Sequence, residues 1–131
     1  MTARIRPLTP ALLRAYRLTI YRAGPLEVRI GQRTPGLKGH TFIFLGAANP
    51  GGRRYPDAWN TRMTQRLRHR LRHVAFFIGD GRLGQWCEPM IAAALPLARA
   101  LRLARLFRQN AVVVAAPDRP ARLVPVSPHT P

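Results

Sequence analysis

The sequence predicts an α/β (α+β) fold: a single mixed β-sheet with about three helices packed on it. Three observations carry this. Residues 42–48, 74–78 and 111–115 form short runs that are almost wholly apolar, as strands covered on both faces must be. Residues 17–22 and 26–30 alternate instead, with Leu26, Val28 and Ile30 on one side and Glu27 and Arg29 on the other, which predicts a hairpin with one wet face. Between the apolar runs lie stretches 57–72 and 96–107, whose apolar residues recur at helical spacing. The hairpin excludes a purely parallel sheet.

Taken in order, residues 10–16 read as a short helix, capped by Thr9 and opened by Pro10 in its first turn. The alternating hairpin follows, turning at Gly24-Pro25. Residues 31–40 are a loop, with a turn signal at Thr34-Pro35-Gly36. The apolar strand 42–48 then delivers a loop, Asn49-Pro50-Gly51-Gly52-Arg53-Arg54, to a helix that starts near Asp57, where a carboxylate suits the positive end of the helix dipole. On that helix Trp59, Met63, Leu67 and Leu71 form the core-facing stripe, and Arg62, Arg66, Arg68, Arg70 and Arg72 fill much of the rest. Strand 74–78 is expected to end at Gly79-Asp80-Gly81. Residues 90–95 form a further strand, and Pro96 opens a helix that presents Leu97, Leu101 and Ala104 on one side. Strand 111–115 is buried, residues 121–126 pair beside it, and Pro125 places that last strand at an edge. The chain is read as one domain over residues 1–126, with a disordered tail at 127–131.

Composition narrows the function classes. The chain holds 22 Lys and Arg against 5 Asp and Glu, a net charge of +17, and every cation of that pair but Lys38 is arginine. Such a balance points to nucleic acid or another polyanion as partner. A GC-rich coding sequence would favour arginine over lysine without any ligand, but it does not explain the scarcity of acids. Apolar runs fall short of the ~18 residues of a membrane span. With no signal-type leader and a single cysteine, Cys87, the cytoplasm is the expected location.

Three motifs together carry a resemblance. They are Ala48-Asn49-Pro50 at a strand end with Asn60 in the next helix, Gly79-Asp80-Gly81 followed by Trp86-Cys87-Glu88-Pro89, and Phe107-Arg108-Gln109-Asn110-Ala111 leading into the last buried strand. In this order and spacing the chain resembles a family of small bacterial proteins known only as a domain of unknown function, number 3293. That family shows Ala-Trp-Asn-Pro at the strand end and Phe-Gly-Gln-Asn-Ala after the helix. Ala48 stands here where the family has Trp, and Arg108 where it has Gly. The resemblance covers nearly the whole chain and implies a fold and candidate positions, with no assigned catalytic residues.

Five polar residues form the ligand-binding candidates: Asn49, Asn60, Glu88, Gln109 and Asn110. Asn49 follows one buried strand and Asn110 precedes another, so antiparallel neighbours would bring them together. Amides donate and accept, so the group either builds a pocket for a small molecule or caps strand ends. Glu88, one of so few acids, is a general base, a ligand-binding carboxylate, or the ion-pair partner of an arginine. Arg53, Arg54, Arg62, Arg66 and Arg70 are the polyanion-binding candidates. The loop Gly51-Gly52-Arg53-Arg54 has the composition of a phosphate cradle but not the P-loop spacing. His69 and His73, four apart, lack the glutamate of a zinc helix and sit among arginines. No metal or cofactor is expected. Trp59 and Trp86 are read as core, and the helix over 97–108 as a cover for the sheet in preference to a membrane-surface helix. The expected function is a binding role, for a polyanion on the arginine face or, as the alternative, for a small molecule or in an uncharacterised enzyme with a polar Asn/Gln/Glu pocket.

Overall fold

A computed structural model describes residues 4–127. Three helices, α1 (Pro10–Leu18), α2 (Asp57–Arg70) and α3 (Leu97–Leu106), accompany strands β1 (Ile20–Ala23), β2 (Leu26–Val28), β3 (Phe42–Leu45), β4 (Phe76–Leu83), β5 (Trp86–Ala93), β6 (Ala111–Ala115) and β7 (Arg122–Pro125). The strands form one seven-stranded sheet in the order β2-β1-β4-β5-β3-β6-β7. The α+β class is therefore the one the sequence predicts. One detail is refined: every ladder is antiparallel, where a mixed sheet was expected. The β4–β5 hairpin inserts between β1 and β3, so the crossover through α2 does not create a parallel neighbour.

Burial follows the patterns in the sequence. β3 is buried at all four positions. Ile43 and Leu45 join one core with Ile91, Ala93, Val112 and Val114, covered by Leu67 and Leu71 at the end of α2 and Ala100, Leu103 and Ala104 of α3. Phe42 and Phe44 point the other way, into a second core with Met90, Ala92, Val113, Tyr21, Ala23 and Val28. The alternating hairpin sits at the sheet edge as β1–β2, and its wet face carries the cross-strand pair Arg22–Glu27 at 2.9 Å. α1 keeps its predicted cap, with Thr9 Oγ1 accepting from Leu12 N–H at 3.2 Å, and none of its residues is fully buried.

Two strand expectations are corrected. Gly79-Asp80-Gly81 does not end a strand; β4 runs straight through it and pairs with β1 on one side and β5 on the other. The glycine is there for close approach rather than for a turn: a Cβ on Gly79 would overlap the carbonyl oxygen of Arg22. The run 74–78 is also less buried than its composition suggests, with Ile78 48% exposed. Helix α3 lies over β3 and β6 and α2 over β5, and of β4 only Phe76 packs against the core they cover. Of the tail expected at 127–131, only Ser127 is among the described residues.

Arg108 explains itself as a helix terminator. It follows α3 with φ +56°, in the left-handed region that glycine enters freely and arginine does not.

Two stability outcomes follow. Gly79→Ala should cost at least about 3 kcal/mol, or abolish folding, because backbone has to move. Gly81→Ala, whose Cβ would lie 3.3 Å from the Tyr21 ring, should cost about 1 kcal/mol. Urea unfolding of the two variants checks the contrast. Arg108→Gly should raise stability by up to about 1 kcal/mol in the same measurement.

Candidate functional site

The site forms where β3 ends while β5 and β6 begin. The ladders pair Leu45 with Ile91 and Phe44 with Val113. Continued past the last strand residue, the two registers bring Glu88 and Gln109 to either side of Ala48. Sequence order thus separates these residues widely, and antiparallel pairing reunites them.

At Asn49 the chain turns sharply, with φ +48° and ψ +59°, a conformation that asparagine tolerates better than most residues. Its environment makes the turn worthwhile. Asn49 N–H donates to Asn60 Oδ1 at 2.9 Å, and Asn60 Nδ2 returns a bond to Asn49 Oδ1 at 2.9 Å. Tyr55 N–H adds a further bond to Asn49 Oδ1 at 2.8 Å, and Asn60 Nδ2 also reaches the Tyr55 carbonyl at 3.3 Å. Both asparagines are buried, at 7% exposure each. Asn49 Nδ2 is left to donate to Glu88 Oε1 at 3.0 Å. A chain of amides therefore runs from α2 through the loop to the carboxyl group.

Gln109 and Asn110 sit close by with other partners. Gln109 Nε2 donates to the carbonyls of Ala48 at 3.1 Å and Phe107 at 3.0 Å. Asn110 Oδ1 accepts from Arg6 N–H at 2.7 Å, holding the N-terminal segment across the loop. Of the five ligand-binding candidates, then, Asn49, Asn60 and Glu88 are joined directly. Gln109 adjoins them through Ala48, and Asn110 shares a cavity wall with Glu88 and Gln109.

That cavity, of about 330 Å³, lies between α1 and the second face of the sheet. Leu12 and Ala15 roof it, Met90 and Val113 rise from the sheet, and Tyr16 and Tyr21 also line it. Burial pushes the Glu88 carboxyl up to about 7, against the opposing pull of the Asn49 amide. Burial likewise raises Tyr16, with the Asn110 amide pulling the other way, and raises Tyr21 further. Both phenols also feel the Glu88 charge. The ion pair expected for Glu88 is not found: the pairs among the described residues are Arg22–Glu27, Arg82–Asp80 and Arg119–Asp118. The physical reason is position, since Glu88 faces a cavity walled by apolar and amide groups while the arginines stand on the outside.

Arg53, Arg54, Arg62, Arg66 and Arg70 are all exposed. Arg62, Arg66 and Arg70 rim a second hollow of about 770 Å³ between α2 and the end of α3. Arg54 stands over the Trp86 ring at 5.9 Å. The loop 51–54 is not a phosphate cradle. Gly51 N–H donates to the Arg108 carbonyl, Gly52 N–H to that of Asn49 and Arg53 N–H to that of Pro50, so these donors are already used. His69 and His73 are exposed, as is Cys87. Trp86 is not core but 38% exposed, because β5 begins beyond the helix layer; Trp59 is half-buried against Tyr55. Helix α3 covers the sheet as expected, and among the described residues no helix is long and apolar enough to cross a membrane.

Sequence reasoning did not single out Tyr16 and Tyr21. The alternation of residues 20–23, which puts Tyr21 on the inner face with Ala23, was the available signal for one of them. Nothing local marks Tyr16, which reaches the cavity only because α1 folds back over the sheet.

The family model of a protein of unknown function, DUF3293, matches residues 45–112, 68 of the 131 positions. All five polar candidates lie inside the match, whereas Tyr16 and Tyr21 lie outside it. No curated protein and no solved structure matches the chain.

The raised carboxyl sets a pH dependence of stability. Glu88 titrates at 4.5 in an ordinary environment and at about 7 in the fold. Between those values the folded chain holds a proton that the unfolded chain has lost, so stability falls as pH rises through this window and levels off above it. The loss amounts to up to about 3 kcal/mol. Urea unfolding from pH 5 to 8 should show that slope in the difference between wild type and Glu88→Gln, with the variant the more stable of the two above pH 7.

Proposed function

The chain belongs to the DUF3293 family, and we propose that it binds a small organic molecule in the cavity beneath α1, with Glu88 as the anchoring group. One observation carries this reading. In a chain with 22 Lys and Arg, the half-buried carboxyl of Glu88 has taken an amide partner on one oxygen and no arginine on either. A carboxyl so placed weakens the fold at neutral pH, and groups perturbed in this way cluster at functional sites. The asparagines behind it act as positioning residues. They hold the carboxyl at the wall and have few valences left for a ligand.

The cavity chemistry narrows the ligand. About 330 Å³ lies near the small end of ligand pockets. Its walls are mostly apolar or aromatic, with a carboxyl, two amides and two phenols among them. A molecule with an apolar body and an N–H group, such as a small amine or a nitrogen heterocycle, complements it. A carboxyl titrating at about 7 both accepts from such a group and exchanges a proton with it.

Ligand-observed NMR and thermal unfolding with benzylamine, benzyl alcohol and benzoate test this. Benzylamine should bind best and benzoate worst, and benzylamine should tighten between pH 6 and 8 as the carboxyl ionises. Glu88→Gln should weaken benzylamine at least tenfold and leave benzyl alcohol within about twofold, as expected when a charge-assisted bond is lost. Equal responses of wild type and variant to all three probes, or no response in either, would sink the reading.

A further inference from the structure

We propose that the outer surface of α2 is a track for single-stranded nucleic acid, running from Arg70 along the larger hollow to the Arg54–Trp86 pair. Its arginine-rimmed hollow shares no lining residue with the Glu88 cavity; Trp86, at the far end, lines both the cavity and the track.

Spacing is the first observation. Arg62, Arg66 and Arg70 are four residues apart on one helix and all rim the same hollow. At ~1.5 Å per residue the row is about 12 Å long. No acid follows Asp57 in α2, and none of the ion pairs among the described residues involves these arginines. A row of cations matches a repeating anion better than it matches a single carboxylate.

The floor of the hollow is the second observation. Ala47, Pro50, Met63 and Phe107 make it apolar, with Trp59 and Tyr55 at the end nearer the start of α2. Tyr55 also lines the neighbouring hollow of about 400 Å³, which continues to Arg54 and Trp86. Arginines thus rim the first hollow, aromatic rings stand where it meets the second, and the second carries Arg54 and Trp86 together with the acid Asp57. Phosphates need the arginines and unstacked bases the rings, and only a single strand offers both at once. A duplex hides its base faces, which leaves the apolar floor and the rings without a partner. An anionic bilayer is held by a whole projecting apolar face, whereas this surface is concave and Leu106, 53% exposed, is the large aliphatic side chain standing out at its rim.

Fluorescence anisotropy at ~150 mM salt, with a labelled 15-mer of dT, its duplex with dA, and vesicles of phosphatidylserine and phosphatidylcholine, tests the proposal. The single strand should bind at least tenfold tighter than the duplex, with little binding to vesicles. Its affinity should fall with salt at a log–log slope of about −0.7 per phosphate contacted. Replacing Arg62, Arg66 and Arg70 together by Ser should reduce that slope by about 2. A control triple at Arg14, Arg17 and Arg122, exposed on other elements, removes the same charge and should change the slope by less than half as much. Trp86→Ala should weaken binding about tenfold with the salt slope unchanged, the mark of lost stacking. Glu88→Gln should leave single-strand binding within twofold. Equal effects of the two arginine triples, duplex binding as tight as single-strand binding, equal capture by vesicles, or disappearance of binding at ~150 mM salt would each overturn the proposal.

Discussion

The reciprocal amide pair between Asn49 and Asn60 is the interaction on which the site depends. Each asparagine satisfies the other while both are out of water, so the pair costs no unpaired polar group. It also closes a geometric loop. β3 delivers Asn49, α2 delivers Asn60, and the bonds between them set how the helix leaves the strand. With the helix so placed, Leu67 and Leu71 reach the core on one face, and the row of arginines is turned outward. Asn49 then has its side-chain NH2 left, and one of its two hydrogens goes to Glu88.

That arrangement makes the carboxyl unusual. Most acids in so basic a chain would be neutralised by arginine on the surface, as Glu27 and Asp80 are. Glu88 is instead oriented by an amide, which fixes its position without supplying a charge. Its pKa therefore stays high, because desolvation outweighs one neutral hydrogen bond. Two separate surfaces result. One is a small cavity with a titratable carboxyl beneath α1. The other is an open cationic hollow across the sheet, floored by apolar side chains.

Several features were legible in the residues themselves. The four apolar positions 42–45 read as a strand covered on both faces, and they lie inside the sheet between β5 and β6. The alternation around Glu27 reads as a hairpin with one wet face, which is what β1–β2 is. The candidate polar residues were legible as a set because Asn49 and Asn110 flank apolar strands, and the antiparallel registers bring those ends level. Gly79 was misread because a glycine that permits a turn and a glycine that permits close packing look alike in one dimension. The difference lies in the carbonyl of Arg22, which is 57 residues away. Trp86 was misread as core for a similar reason: whether a large ring is covered depends on where the helix layer stops.

The residues alone were enough for the element types, the α+β class, the last strand's place at an edge, and the charge. These follow from local periodicity and composition, which each segment carries within itself. Only the tertiary structure decided that Glu88 would meet an amide and a cavity rather than an arginine. It also decided that Tyr16 and Tyr21 would join it, and that three arginines would share a hollow with aromatic rings. The physical reason is that partner choice for a polar side chain is set by strand register and helix placement across the whole chain. Those are global properties that no window of sequence contains.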